Sequence, residues 1–378
     1  MLHEFTWRGE VLHPALLEAL IPHVAHPFEQ IREQIGNCVS TLFRVAWEPL
    51  RMEGTDLVGL GLGTRPSPML DRLISHVTSI VGTELSSSRL HITDTADDSE
   101  SKRAAHQKRH LQQTILSWLE KSFPTFDSMF VSPLLSYLPR LLPILFAMLN
   151  DSDPELSSYA DSCTEWVANV PLVTEQVLPE LLESLDLIAA SPSWHVRAAV
   201  PTFIQVLMYR HQFFAAPAQL ARALTSVEAF LVDPQVEVRE HGATCLSGLL
   251  KISSLDVIPD SIEKYSAWAA VPLRRTGRGA TVGDTADESV LLRRHAGVLG
   301  LAALVGAYPY DVPDWCPTVL VSLANHITDP LPIKSTVKKG FGQFWRTHQD
   351  SWPIHKPKFS SEQLAALTDL LVSPSYFS

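Results

Sequence analysis

The sequence has only four cysteines, Cys38, Cys163, Cys245 and Cys316, and none of them forms a C-x-x-C pair. Their scattered positions in apolar segments argue against a disulfide framework or a cysteine-based zinc site, and they predict buried, reduced thiols. Long hydrophobic runs are also missing. The longest, residues 141–149, is too short to span a membrane, and the N-terminus lacks the apolar stretch of a signal peptide. We therefore expect a protein of the nucleus and cytoplasm that has no membrane partner.

Charged residues are few, at 19% of 378 residues, and acidic residues outnumber basic ones to give a formal net charge of −11. This negative charge argues against nonspecific nucleic-acid binding by the whole surface. Apolar residues, at 46%, are as frequent as in folded proteins. Because the chain is longer than one compact hydrophobic core usually requires, several domains or an extended array of repeats are predicted.

The sequence also lacks the usual catalytic and cofactor-binding motifs. Two glycine clusters, "GLGLG" and "GRGATVG", follow no clear strand and have neither G-x-G-x-x-G spacing nor a G-K-[ST] ending. The histidine pairs His23/His26 and His106/His110 have helical spacing but no H-E-x-x-H context and no cysteine partner. No G-x-S-x-G elbow is present. We therefore expect no catalytic residue, no metal, no cofactor and no enzymatic activity.

An internal repeat of helical segments is what the sequence offers instead. Four segments open at a proline, continue for about three apolar-rich turns and stop at a later proline. They open at Pro14, Pro139, Pro179 and Pro317. Second segments follow, several with an early arginine, as in Val196-Arg197 and Val238-Arg239. Proline suits the first turn of a helix and prevents continuation beyond the end. The pattern, with a period of about forty residues, predicts an all-α fold, an α-solenoid of HEAT- or armadillo-like hairpins.

Two polar stretches interrupt the predicted helical hairpins, and a short tail follows them. The hairpins are predicted over residues 1–83, 104–270 and 288–371. Residues 84–103, rich in serine and aspartate, predict a mobile loop, and residues 271–287 predict a Gly/Arg-rich loop. In the second loop Arg274, Arg275 and Arg278 could bind phosphate or an acidic partner, although a simply solvated loop remains the alternative. Residues 372–378 form the predicted tail.

Several long motifs near the C-terminus are more specific than generic solenoid composition. They are "RRHAGVLGL", "YPYDVPDW", "TVKK", "RTHQDSW" and "LTDLLVSPSY", with "SWHVRAAVPTFIQVLMYRHQFF" further upstream. In these motifs the chain closely resembles the C-terminal region of the large HEAT-repeat proteasome activators, the family of proteasome activator complex subunit 4 and its yeast bleomycin-sensitivity relative. Members are several times longer and form a dome of HEAT-like repeats that caps the 20S core particle. The resemblance implies that this chain corresponds to the C-terminal segment of that dome.

The resemblance also implies a role for the tail. In the family, a hydrophobic residue, a tyrosine and a final residue insert between adjacent α subunits of the core particle and open its gate without ATP. The corresponding residues are Tyr376, Phe377 and Ser378. A terminal carboxylate can pair with a pocket lysine, and aromatic rings bury apolar area. Phe377 lacks the hydroxyl of the usual tyrosine, and one lost hydrogen bond costs about 0.5–1.5 kcal/mol.

The resemblance also raises two further ligands, acetylated histones and inositol polyphosphates. Its acetyl-lysine site uses an asparagine-aromatic pair that falls near Ser253 and Ser254, and serine cannot supply the amide, so binding of acetylated histones is not expected on this basis. The inositol polyphosphates held at its dome openings could face Arg274, Arg275 and Arg278, with no motif to support this specifically. A generic HEAT-repeat scaffold, which binds a protein partner or an acetylated histone on its concave face, remains the alternative function.

Overall fold

The computed structural model describes residues 9–52, 68–81, 99–122, 137–151, 153–170, 177–254, 256–273 and 285–371. Within these ranges every regular element is a helix and there is no strand. The all-α class predicted from the proline-bounded segments is therefore confirmed, whereas the HEAT type of the repeats stays a prediction.

The described ranges contain sixteen α-helices, which divide between two compact units, Met1–Gln219 and Leu220–Ser378. The helices are α1 Gly9–Leu20, α2 Glu29–Met52, α3 Pro68–Val81, α4 Ser99–Ser122, α5 Leu138–Met148, α6 Pro154–Ala168, α7 Val177–Ala189, α8 Trp194–Arg210, α9 Pro217–Phe230, α10 Val236–Ile252, α11 Val257–Ala269, α12 Thr285–Gly306, α13 Cys316–Ala324, α14 Ile333–His348, α15 Trp352–His355 and α16 Ser361–Leu371. Short 3-10 helices follow α1 at Ile21–His23 and α15 at Lys356–Lys358.

The first unit is built from helices that pack against close neighbours in the chain. Helix α2 packs on α4, and α5 packs on α6 and α7. Apolar side chains of α5, including Leu141, Leu142 and Phe146, are completely buried, and Phe146 meets Phe203 of α8 edge-to-face. Each helix thus buries one apolar stripe, which is the arrangement that the three-and-four spacing of the sequence predicts.

The same hydrogen bonds recur in the turn before several second helices, and the early arginine of the second helix donates them. In the first unit, Nη1 of Arg32 donates to the carbonyls of His26 and Pro27, at 2.8 and 2.9 Å. Nη1 of Arg197 donates in the same way to Ser191 and Pro192, at 2.9 and 3.0 Å. Carbonyls at the end of a helix have no partner within that helix, and a guanidinium satisfies two of the turn carbonyls at once.

The second unit repeats this turn and is centred on α12. Nη1 of Arg239 donates to the carbonyls of Asp233 and Pro234, at 2.5 and 2.9 Å. Helix α12 packs against α10, α11, α13 and α14. Residues 288–306 of α12 are long and apolar enough to cross a membrane by length and composition, but more than half of this segment is buried among those neighbours. In the described part of the chain α12 is the central helix of its unit.

Two glycines let α11 approach α12 closely. A Cβ added at Gly297 would lie 2.2 Å from the amide nitrogen of Ala269, and one added at Gly300 would lie 2.3 Å from Cγ of Tyr265. Tyr265 is completely buried, and its hydroxyl donates to Glu228 at 2.7 Å, so the ring cannot easily move aside. The close approach of the two helices therefore requires a glycine at both positions.

Some details differ from the expectations. Cys163, Cys245 and Cys316 are buried as predicted, and burial raises the pKa of Cys316 to about 12. Cys38 is exposed, so the prediction that all four thiols are buried is wrong for it. The side chain lies on the solvent side of α2, next to the buried Val39, which an apolar-rich sequence alone does not reveal. Helix α4 begins at Ser99, before the start predicted near residue 104.

We expect Arg239→Lys to destabilise the second unit by about 2–3 kcal/mol, because the single amine of lysine cannot replace both the Nη1 bonds to the turn carbonyls and the Nε bond to His295. Urea unfolding followed by circular dichroism measures this. Arg346→Lys, at an exposed site, is the matched control and should change stability little. Equal stabilities of the two variants would contradict the role given to the turn arginine.

We expect Gly300→Ala to lower the free energy of unfolding by about 1–3 kcal/mol, since its Cβ would overlap the ring of Tyr265. Gly342→Ala in α14 is the control, because a Cβ there would meet nothing within 4 Å. This control should be more stable than the wild type by about 0.5–1 kcal/mol, the usual gain from replacing a helical glycine. Thermal unfolding of both variants measures these changes. A Gly300→Ala variant that is as stable as the wild type would contradict the packing role of Gly300.

Candidate functional site

The residues singled out by the sequence fall on segments outside the described residues. They are Tyr376, Phe377 and Ser378 of the tail, and Arg274, Arg275 and Arg278 of the Gly/Arg-rich loop. Their roles in docking and anion binding stay predictions. The structure describes the framework that carries both segments, which consists of α10 to α16, and this framework is the candidate functional site.

The second arginine of "RRHAGVLGL" joins three parts of this framework. Nε and Nη2 of Arg294 donate to the two carboxylate oxygens of Asp329, at 2.7 and 2.9 Å, and Nη1 donates to the carbonyl of Val271 at 2.8 Å. Nδ1 of His326 lies 2.8 Å from Oδ2 of Asp329. Burial alone would raise the pKa of Asp329, but the hydrogen bonds from Arg294 and His326 outweigh it and hold the pKa low. The α13–α14 loop is thereby tied to the start of the Gly/Arg-rich loop.

The preceding arginine fixes the same region by stacking. The guanidinium of Arg293 lies 3.8 Å from the centre of the Trp268 ring, near the end of α11. A guanidinium over an indole face is favourable by about 0.5–1 kcal/mol at a partly exposed site. Both arginines of the motif therefore hold the end of α11 against α12, and neither points to catalysis.

The histidine of the motif is buried and links α10, α12 and α14. Nε of Arg239 donates to Nδ1 of His295 at 3.0 Å, and Nε2 of His295 lies 2.9 Å from Oγ1 of Thr336. Because arginine can only donate, Nδ1 is the acceptor, and Nε2 therefore carries the proton and donates to Thr336. Burial, with a further contribution from Arg239, lowers the pKa of His295 to about 3, so the ring is neutral.

The opposite end of the unit is closed by an aromatic cluster from the "RTHQDSW" region. Phe344 stacks on His348 with ring centres 4.2 Å apart, and Trp352 packs on Phe359 at 5.3 Å. Nε2 of His348 contacts the carbonyl of Asp311 at 3.3 Å. This cluster joins the end of α14 to the segment before α13 and orients the chain as it enters α16.

Contacts before α16 fix where this helix begins. Nζ of Lys358 donates to the carbonyl of Val312 at 2.6 Å, which places the segment before α16 beside the segment before α13. Helix α16 packs against both α13 and α14. Leu367 and Leu371 are 0% and 5% exposed, so the last turns of α16 are also held against the unit.

The described residues that precede the two segments both lie in the second unit. The Gly/Arg-rich loop starts at Val271, whose carbonyl accepts from Arg294, and Arg294 also holds Asp329. The tail follows Leu371 of α16, which packs against α13 and α14. Reasoning on separate motifs missed the ties that Arg294 makes to these two loops, since its partners are 23 and 35 residues away in the chain.

The other candidate ligand sites find no support in the described residues. The hydroxyl of Ser253 donates to the carbonyl of Leu249 in its own helix, at 2.7 Å. The rings of His23 and His26 are 6.3 Å apart, as are those of His106 and His110. Within the ranges that the structure covers, no group of three metal-ligating side chains is found.

The fold and this framework define an α-helical protein built from packed hairpins, and comparison with known proteins finds similar sequences. A family model described as "Proteasome activator complex subunit 4-like, C-terminal" matches residues 291–378. Over 98% of its length the chain is 33% identical to proteasome activator complex subunit 4A of Danio rerio and to proteasome activator complex subunit 4 of Homo sapiens. Proteasome activator BLM10 of Saccharomyces cerevisiae is 22% identical over 92% of the chain.

As its C-terminal motifs indicate, the chain is similar to the C-terminal part of the proteasome activator complex subunit 4 proteins. It matches 20% of the length of the Danio rerio and Homo sapiens proteins and 16% of the yeast protein. It therefore spans about one fifth of the length of the curated vertebrate relatives. The region matched by the family model begins just before Arg293 and includes α13, α14 and α16, so it overlaps the second half of the framework described above.

We expect the stability of the second unit to fall with pH more steeply in the wild type than in His295→Gln. His295 is neutral when folded, with a pKa of about 3, but ionises near pH 6.5 when unfolded. The unfolded state therefore binds the extra proton, and stability is lost as pH falls from about 6.5 towards 3. A glutamine amide can accept from Arg239 and donate to Thr336 without titrating.

Urea unfolding at several pH values between 7.5 and 4.5 measures the two profiles. The difference in slope should approach about 1.4 kcal/mol per pH unit below pH 6. All other residues are the same in both proteins, so their contributions cancel in this comparison. Parallel profiles would contradict a neutral, buried His295.

Proposed function

We propose that this chain is the docking region of an ATP-independent, non-enzymatic proteasome activator. In this proposal Tyr376, Phe377 and Ser378 insert between neighbouring α subunits of the 20S core particle and promote opening of its gate. The observation that carries the proposal is the match of residues 291–378 to the C-terminal region of a family whose members are named proteasome activators.

The packing of α16 supports this role for the tail. Leu367 and Leu371 are buried against the unit, so the residue that precedes the tail has a fixed position. Residues 372–378 can extend at most about 25 Å from that point, at roughly 3.3–3.6 Å per residue. Because residues 372–378 form a short segment attached to the fixed end of α16, they can reach only a small volume. Less entropy is therefore lost when they bind.

The chemistry of the last residues suits a pocket between two protein subunits. The terminal carboxylate is ionised at neutral pH and can pair with a lysine, while the rings of Tyr376 and Phe377 bury apolar surface. Binding energy shifts a gate towards its open state only through contacts that are better in that state. The missing hydroxyl of Phe377 removes one candidate contact of this kind.

We expect Phe377→Tyr to increase stimulation of the 20S core particle, since the added hydroxyl can gain a hydrogen bond of about 0.5–1.5 kcal/mol. We expect Tyr376→Ala to weaken docking at least tenfold, because a buried ring is lost. Hydrolysis of a fluorogenic peptide by purified core particle reports gate opening, and biolayer interferometry on immobilised core particle reports docking.

A variant with one residue added after Ser378 is the control for the carboxylate, since it keeps both rings and moves the charge. This extended variant should bind poorly. If the extended variant and a variant lacking residues 372–378 both bind as well as the wild type, the tail does not dock. The chain would then act as a helical scaffold that binds its partner through another surface.

A further inference from the structure

Helix α14 presents an outward-facing row of positive charge, and we propose that this row docks onto an acidic surface of the protein that receives the tail. The row consists of Lys334, Lys338 and Arg346, with Gly342 between the last two. The identity of that partner, the 20S core particle, rests on the function proposed above. The existence of a second contact surface on α14 rests on the charge, the glycine and the position of the helix.

The charge on α14 is not balanced within the unit. Its sequence, "IKSTVKKGFGQFWRTH", has no acidic residue. Lys339 pairs with Glu240 at 2.8 Å, but Lys334, Lys338 and Arg346 are exposed and form no ion pair with any described residue. In a chain with a net charge of −11, a helix face of uncompensated cations is suited to an acidic partner outside the chain.

The four positions of the row, Lys334, Lys338, Gly342 and Arg346, follow one another at intervals of four residues, so they lie along one exposed side of the helix. The opposite side carries Val337, Phe341 and Phe344, which are at most 3% exposed and face the rest of the unit. From Lys334 to Arg346 the helix rises by about 18 Å, at 1.5 Å per residue. A row of this length suits an extended protein surface better than a single small anion.

Gly342 is the second and independent observation. A glycine in the middle of a helix costs about 0.5–1 kcal/mol relative to alanine. At Gly297 and Gly300 close packing requires it, but at Gly342 a Cβ would meet nothing within 4 Å. No contact inside the described part of the chain therefore explains the glycine. Between Lys338 and Arg346 it leaves the helix backbone open to the close approach of another surface.

The position of α14 connects this row with the tail. Helix α16 packs directly against α14, and the tail follows Leu371, the last residue of α16. Helix α14 is only about 24 Å long, at 1.5 Å per residue. A partner that held residues 376–378, within about 25 Å of Leu371, would also reach the row.

The chemistry favours a protein over a nucleic acid as the partner. Three cations neutralise only a few phosphates, whereas the remaining surface, with its excess of negative charge, would repel a densely charged polyanion. A protein surface with a few carboxylates has a lower charge density and offers room for the flat, uncharged stretch around Gly342. Such contacts raise the association rate and depend strongly on salt.

The test measures binding of the whole chain to immobilised 20S core particle at 50, 150 and 300 mM NaCl. One variant carries Lys334→Glu, Lys338→Glu and Arg346→Glu, and a second carries Gly342→Leu. The matched control is Lys356→Glu, an exposed lysine beyond the far end of α14. We expect the triple variant to bind at least tenfold more weakly at 50 mM, with a flatter salt dependence. Gly342→Leu should bind more weakly while unfolding at a higher temperature, and Lys356→Glu should behave as the wild type.

A variant that lacks residues 372–378 separates this inference from the function on which it rests. If the triple variant binds as the wild type does and the tail deletion does not, the row is not a docking surface but the tail is. If the triple variant alone loses affinity, the row docks and the role of the tail is wrong. If both variants bind as the wild type does, or if the wild type does not bind, both ideas fail.

Two competing ligands are measured in parallel by fluorescence anisotropy, a 20-base-pair DNA duplex and inositol hexakisphosphate. We expect neither to discriminate between the wild type and the triple variant. If either ligand binds the wild type and loses affinity for the triple variant, while core-particle binding is unchanged, the row binds polyanions and the proposal of a protein partner is wrong.

Discussion

The structure depends on a guanidinium that closes the turn between the two helices of a hairpin. Arg32, Arg197 and Arg239 each donate from Nη1 to two successive carbonyls of the preceding turn. The turn ends with a proline, which supplies no N–H, so its carbonyls cannot be satisfied by regular backbone pairing alone. The arginine completes the hydrogen bonding of the turn. The same contact recurs before α2, α8 and α10, so each of these helices is joined to its preceding turn in the same way.

In the second unit the same contact is extended into a network that reaches the C-terminal motifs. Arg239 also donates to His295, and His295 donates to Thr336, so one chain of hydrogen bonds joins α10, α12 and α14. Arg294 then joins α12 to the loops at one end of the unit. The residues that mark this family in sequence are therefore largely structural in this chain. They hold the helices from which the tail and the Gly/Arg-rich loop extend.

The sequence predicted the helical class well because proline position and apolar spacing act locally. It also indicated the turn arginines, since their partners are carbonyls five and six residues away. It did not predict the exposure of Cys38, which depends on how α2 is rotated against α4, or the neutral state of His295, which depends on burial by three helices. The ties from Arg294 to Val271 and Asp329 were equally hidden, because they join α12 to two loops that are distant in the sequence. Long-range packing decides each of these, and no local pattern encodes it.

The packing of α16 also has a consequence for the order of folding. Helix α16 is synthesised after α13 and α14, and it buries Leu367 and Leu371 only when both of those helices are in place. Until that happens, the seven residues that follow are attached to an unfolded segment, and their binding has the full entropy cost of ordering that segment. A fixed position of Leu371 is thus a sign that its unit has finished folding. A partner that bound the residues after Leu371, as proposed above, would therefore favour completed molecules over partly folded ones.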